Sequence, residues 1–294
     1  MDHKAFLSAL SAEQKTRLTA TSNRAGVRHL VQHLGLIAVT ALLIGGQVPG
    51  WPLLLPIQGL AIIFLFTLEH ECTHRTPFGS PWLNDWVGRI CGLLILLPFE
   101  WFRYFHLAHH RFTNIPGQDP ELESPKPETR GQFIWHVLGL PIWWGNAKLL
   151  VRLALGREMA SYLPQGARPR AALEARIMLG LYAGVAASLF WSPLLFWVWL
   201  LPVVIGQPAL RIYLLAEHGD CARVANMFEN TRTTFTTALV RFFAWNMPYH
   251  VEHHVFPAVP FHRLPDLHAL IRQELKVTAN GYAQFTRSYL ARRG

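Results

Sequence analysis

Apolar residues fall along this chain in long runs rather than in alternating or one-faced patterns. Four runs approach the roughly 20 residues that a helix needs to cross a bilayer, at about 30–48, 52–70, 173–191 and 194–215. The first two are joined by "QVPGWP" and the last two by "FWSPLL", turns so short that each pair is expected to form a hairpin. Pro202, Gly206 and Pro208 fall inside the fourth run. Neighbouring helices re-satisfy the backbone groups such residues free in a membrane, so a kink is expected there. Two further stretches, "WVGRICGLLILLPFEWF" at 86–102 and "FIWHVLGLPIWWG" at 133–145, are too short and interrupted to cross comfortably. They read as re-entrant or interfacial helices, with a pair of additional spans as the alternative.

Composition agrees with a membrane protein: 51% of residues are hydrophobic and only 15% charged. The formal charge of +9, without a basic-aromatic binding module, points to an anionic membrane surface rather than to nucleic acid. Neither hairpin turn carries Lys or Arg, whereas the segment 1–28 carries five and the segment 216–294 carries nine. The positive-inside rule then puts both termini and the long 71–172 connection on the cytosolic side, with Trp51 and Trp191 as anchors at the outer interface. The polar segment 1–28 lacks the short apolar core of a signal peptide and reads as a cytosolic tail. No internal repeat is visible, and "PGQDPELESPKPETRG" reads as a polar loop rather than a boundary, so residues 1–294 are expected to form a single domain. Cys72, Cys91 and Cys221 are scattered, with no C-x-x-C pair, which suggests neither a disulfide framework nor a thiolate metal site.

Histidine changes the picture. Of fifteen histidines, eight fall in three clusters: His70 and His74 in "HECTH", His106, His109 and His110 in "FHLAHHRFTN", and His250, His253 and His254 in "YHVEHHVFP". On a helix advancing about 100° per residue, positions i, i+3 and i+4 share an arc of about 100°. Each cluster therefore presents its imidazoles from one face. "HECTH" also matches the H-E-x-x-H of zinc proteases, but a catalytic zinc takes three protein ligands and keeps one position open. Eight face-sharing histidines are too many for one zinc and suit two metals. Nitrogen ligands alone leave iron, zinc, copper and nickel open.

In their order and spacing these clusters resemble the three histidine boxes of the membrane fatty acid desaturase and hydroxylase superfamily. The likeness runs from about residue 50 to residue 270 and extends to the surrounding text, "HECTHRTPF", "HHRFTNIPGQDPEL" and "NMPYHVEHHVFPAVPFHRLP". It implies an all-α integral membrane fold of four transmembrane helices in two hairpins, with interfacial helices and a cytosolic histidine-rich cap. It also implies a di-iron centre that activates O2 to attack an unactivated C–H bond. Members usually carry a ninth histidine some way ahead of the last box, and here "LLAEHGD" supplies His218 ahead of His250. The implied ligand set is then His70, His74, His106, His109, His110, His218, His250, His253 and His254.

The same resemblance implies a lipid or other hydrophobic substrate. It also implies a separate electron donor of ferredoxin, rubredoxin or cytochrome b5 type, since no fused haem-binding H-P-G-G segment or flavin fingerprint is present. A bacterial cytoplasmic membrane is the expected location. A fatty acyl desaturase is the leading reading. A hydroxylase or ketolase acting on a carotenoid, an alkane or another small substrate is the alternative, because carotenoid-modifying members have a third box closely similar to "EHHVFPAVPFHRLP". Glu69, Glu71, Glu217, Asp220 and Glu252 flank the boxes and are candidates to orient ligating imidazoles, Glu217 and Glu252 foremost. Asp119 and Asn114 are either part of the site or turn formers. His262 and His268 lie on an amphipathic segment and are left out of the ligand set, and His29, His33 and His136 read as isolated interfacial residues.

Overall fold

The structure is a computed structural model and describes residues 2–293. Four helical segments are long and apolar enough to cross a membrane. The first is reached through α1 (His3–Ala9) and α2 (Ala12–Leu18) and is built on α3 (Asn23–Gly45). The second runs from Trp51 through α4 (Leu55–Ile63) and α5 (Leu65–His74). The third is α10 (Arg168–Ser188), and the fourth enters through one π-helical turn, Phe196–Leu200, and continues as α11 (Leu201–His218). At 1.5 Å per residue, α3 alone is about 34 Å long, enough for the hydrocarbon core. Leu42, Leu181, Val204 and Phe190 stand exposed on these segments, as lipid-facing side chains should.

Between the second and third spans lie α6 (Pro81–Ile95), α7 (Phe99–Phe112), α8 (Arg130–Leu138) and α9 (Leu140–Ala154). Helices α6 and α7, which include the stretch expected to be re-entrant or interfacial, are bent by 100° across Leu96–Pro98, the geometry of a re-entrant loop or of a broken span. Sequence explains the bend. Leu96 takes a left-handed φ of 61°, Pro98 opens α7, and Gly88 leaves room for the Phe99 ring, which a Cβ there would meet at 2.3 Å. The bend frees carbonyls at the end of α6, and three of them find donors. Leu97 N–H donates to Gly92 (2.8 Å), the Tyr182 hydroxyl to Leu93 (2.6 Å) and Trp199 Nε1 to Leu94 (2.8 Å). The third and fourth spans are thus tied to the re-entrant pair by its own unsatisfied backbone.

The tightest helix crossing joins the second and fourth spans, α4 against α11. A Cβ on Gly59 would lie 2.2 Å from the Pro202 carbonyl oxygen, and one on Gly206 would lie 2.3 Å from that of Gly59. Small residues here let the two backbones touch, the usual means of helix association where lipid removes the hydrophobic driving force. At the same crossing Gln58 Nε2 donates to the Val198 carbonyl within the π turn, at 2.8 Å.

The remaining chain forms the cap: α12 (Met227–Asn230), α13 (Ala238–Phe243), α14 (His250–Val255), α15 (Leu264–Ile271) and α16 (Tyr282–Ala291). A two-stranded parallel sheet, Thr233–Phe235 with Thr278–Asn280, closes it. The polar N-terminal segment is not a loose tail. Phe6, Leu10 and Leu18 are buried, and Phe6 meets Phe228 edge to face at 6.2 Å, so α1 and α2 cover the cap.

Candidate metal centre

Four helices deliver nine histidines to one place. His70 and His74 end α5, His106, His109 and His110 close α7, His218 is the last residue of α11, and His250, His253 and His254 lie on α14. The end of α11 is held firmly: Arg232 N–H donates to the Glu217 carbonyl at 2.8 Å, and its guanidinium donates to that of Ala216 at 2.5 Å. All nine imidazoles are buried except His74, which is half-buried.

Their Nε2 atoms converge in two sets. In the first, His70 and His253 approach to 2.7 Å, His74 and His106 to 2.9 Å, and His110 and His253 to 3.1 Å. In the second, His218 lies 3.2 Å from His109 and 3.1 Å from His250, and His250 lies 3.1 Å from His254. The ligating atoms of His70, His74, His106, His110 and His253 all fall within 4.8 Å of one another, as do those of His109, His218 and His254. Neighbouring nitrogens bound to one ion at about 2.1 Å lie about 3 Å apart, which is the spacing seen here.

Converging imidazole nitrogens are unfavourable neighbours unless something sits between their lone pairs. Burial, followed by the neighbouring histidines, holds His250, His253 and His254 well below the ordinary histidine range. They are therefore neutral donors, the form that binds metal.

The opposite ring nitrogens are held from behind. His109 Nδ1 faces both oxygens of Asp119, at 3.0 and 3.1 Å. His218 Nδ1 donates to the Asn230 carbonyl at 3.1 Å, and His254 Nδ1 pairs with the Thr113 hydroxyl at 3.1 Å. Glu217 lies 3.3 Å from His250 Nδ1 and Glu71 lies 3.5 Å from His253 Nδ1. The hydrogen bonds to His109, His218 and His254 fix the tautomer that leaves Nε2 free and orient those rings, whereas Glu217 and Glu71 only stand near His250 and His253 without a hydrogen bond. The residues present thus fit two metal ions, one group with five nitrogen donors and one with three, with His250 beside the second at 3.1 Å from His218 and from His254.

Asp119 also accepts from the backbone N–H groups of Asn114 (2.7 Å) and Glu121 (2.9 Å), so it is both turn former and imidazole partner. Asn114 donates to the Asn230 carbonyl at 2.9 Å. Glu252 turns away from the cluster, to Thr233 and His268. Asp220 binds Arg292 and Arg293, and Glu69 is buried without a hydrogen bond. His262 and His268 stay outside the cluster. His33 is not a surface residue: Nε2 donates to the Ala61 carbonyl at 2.8 Å and Nδ1 accepts from Trp245 Nε1 at 3.2 Å. His29 contacts the Phe242 carbonyl at 2.9 Å. Sequence reasoning missed Asn230 and Thr113, whose roles depend on chain segments that lie far apart in sequence.

A cavity of about 510 Å³ reaches the cluster at His70, His106, His109, His218 and His250. Part of its lining is apolar, with Phe66, Trp101, Phe102, Phe105, Leu210 and Leu214, and its size is that of a typical ligand site.

The profile of the fatty acid desaturase family matches residues 49–286. The chain is 27% identical over 220 residues to a DES1-like sphingolipid delta(4)-desaturase of Oryza sativa subsp. japonica, covering 68% of this chain and 57% of that protein. It is 27% identical over 218 residues to the sphingolipid delta(4)-desaturase DES1 of Drosophila melanogaster, covering 71% and 62%. With an sn-1 oleoyl-lipid 12-desaturase of Picosynechococcus the identity is 31% over 104 residues, covering 32% and 30%. The matched segment thus spans less than two thirds of each of these relatives.

Proposed function

Because the chain belongs to the fatty acid desaturase family, we propose that it is a membrane-bound di-iron oxidoreductase that introduces a double bond into the hydrocarbon chain of a lipid. The observation that carries this reading is the meeting of eight histidines in two groups, with His250 beside the second, at a cavity with an aromatic and aliphatic lining. Bound iron would supply the activation of O2 and the removal of hydrogen from an unactivated C–H bond.

The protein's own residues do the rest. The aromatic wall of Phe66, Trp101, Phe102 and Phe105 holds an alkyl chain out of water and lays it beside the histidines. Asp119, Asn230 and Thr113 keep the rings aimed. Electrons come from a separate carrier of ferredoxin, rubredoxin or cytochrome b5 type docking on the cap. Mass spectrometry of lipids and carotenoids from a host given the protein tests the reaction. Loss of two hydrogens from a lipid chain supports desaturation, whereas gain of one oxygen assigns the chain to the hydroxylating or ketolating members of the same fold.

The same reading puts both termini and the cap on the cytosolic side, following the distribution of Lys and Arg. The reported relatives come from a plant, an insect and a cyanobacterium, and lend no support to a bacterial cytoplasmic membrane in particular. Single cysteines introduced at Gly50 and Ser192 are expected to react with an impermeant reagent from outside, and one at Gly117 is not. Labelling at Gly117 from outside would reverse the orientation.

A further inference from the structure

The cavity also has a polar and charged lining, which includes Lys126, His136, Trp143, Lys148, Arg152 and Arg211. Arg211 is only 8% exposed although it sits on a membrane-spanning helix, where an ionisable side chain is expected to have a partner or a purpose. Among the described residues no carboxylate lies within ion-pair distance of it, Glu121 and Glu217 act on it only from farther away, and its Nε makes no hydrogen bond. His136 Nε2 and Trp143 Nε1, which line the same cavity, also make none.

Most of the other charged groups of the cavity are already engaged. Arg152 binds Glu158, Glu121 lies 3.5 Å from both Lys126 and His109, and Glu217 faces His250. Glu123 stands at the rim. Lys148 lines the rim too, with its ammonium 5.6 Å from the Trp144 ring centre and no carboxylate beside it among the described residues. Burial and then the charge of Arg211 hold His136 at about 4, so it stays neutral.

Unpaired donors in one cavity call for acceptors on the ligand. Resting on the reading of this cavity as the substrate site, we propose that it takes a lipid with an anionic head, a carboxylate or a phosphate monoester. Arg211 is the principal anchor, with Trp143 and Lys148 beside it, and the chain runs inward to the histidines. A neutral carotenoid or alkane would leave Arg211 buried with no counter-charge in contact, which is unfavourable in a medium of low dielectric. Arg211 precedes His218 by two helical turns, about 10 Å along the axis, so the head is held to one side of the oxidised carbon.

The test is equilibrium binding to the metal-loaded full chain in nanodiscs, with radiolabelled palmitate, its methyl ester and palmitoyl lysophosphatidate. An anionic probe is expected to bind at least roughly tenfold more tightly than the ester, since a buried charge-assisted pair is the stronger kind of hydrogen bond. Which of the two anions leads identifies the head. Arg211→Met should bring the anionic probe to the level of the ester, with ester binding and metal content unchanged. Lys148→Gln, at the rim, should lower the preference by a few-fold.

Equal binding of acid, ester and phosphate by the unaltered protein overturns the proposal. So does a preference that survives in both variants. If Arg211→Met loses metal and fold, the decision passes to the unaltered protein and Lys148→Gln. Binding is read without turnover, so a hydroxylated product would revise the reaction and leave this result standing.

Discussion

Replacing His218 by alanine is expected to abolish turnover and to lower bound metal from two ions per chain to about one, while the protein still inserts and folds. His218 is the fourth span's contribution to the second set, 3.2 Å from His109 and 3.1 Å from His250. Its removal leaves His109, His250 and His254, and frees the Asn230 carbonyl that aimed it. Loss of a group that merely orients a ligand costs about 10–100-fold in affinity or activity, so loss of a ligand should cost at least about 100-fold. The fold should survive because the end of α11 is held by Arg232 through backbone carbonyls, not through the imidazole. Full activity with both metals retained would leave an eight-histidine centre and return His218 to a structural role.

Gly206→Ala should destabilise the protein by about 1–3 kcal/mol, the usual cost of forcing extra atoms into a packed contact. The new methyl would meet the Gly59 carbonyl oxygen at 2.3 Å and the Ile63 side chain at 3.0 Å. A backbone oxygen has no rotamer with which to withdraw, so α4 and α11 must separate. That motion shifts His218 at the end of α11 relative to His70 and His74 on α5, which continues α4 in the second span, and activity should fall together with thermal stability in detergent. Gly184→Ala is the control, because nothing lies within 4 Å of a Cβ there, and its effect should stay within about 0.5 kcal/mol. Equal stability of the two variants would show that the helices do not cross at these glycines.

The spans were legible because a bilayer leaves few options for a long, uninterrupted apolar run. Their ends were less so, since hydropathy marks the membrane-buried stretch and not the helix. Helix α3 begins at Asn23, capped by the Ser22 side chain, well before its apolar run. Helices α5 and α11 run on past theirs, to His74 and His218, and these overhangs carry the ligands. The sequence predicts a kink at Pro202, Gly206 and Pro208, but α11 runs from Leu201 to His218 as one helix with Pro208 inside it, and the irregular π turn lies earlier, at Phe196–Leu200.

Each histidine box showed its shared face in the sequence, but not how the boxes divide. His109 leaves His106 and His110 to join His218 and His254, while His253 leaves His250 to join His70 and His74. That division depends on how four helices meet, which spacing within one helix cannot encode. Glu252 is a different case. It lies about 200° around α14 from His250, on the side away from the cluster, and its pairing with His268 follows from helical geometry. The N-terminal segment looked like a polar tail because few of its apolar side chains, Phe6, Leu10 and Leu18, are buried, too few to stand out by periodicity.

The central claim is that nine histidines hold two metal ions at the head of a lipid-sized cavity. Elemental analysis of purified protein, reconstituted with iron and assayed on the same sample, tests it most directly. Two ions per chain, with activity rising in step with iron content, is the predicted result. Overproduced protein carrying zinc should show the same count without activity, because nitrogen sites favour zinc over iron. One ion per chain in a fully loaded and fully active sample would contradict the account.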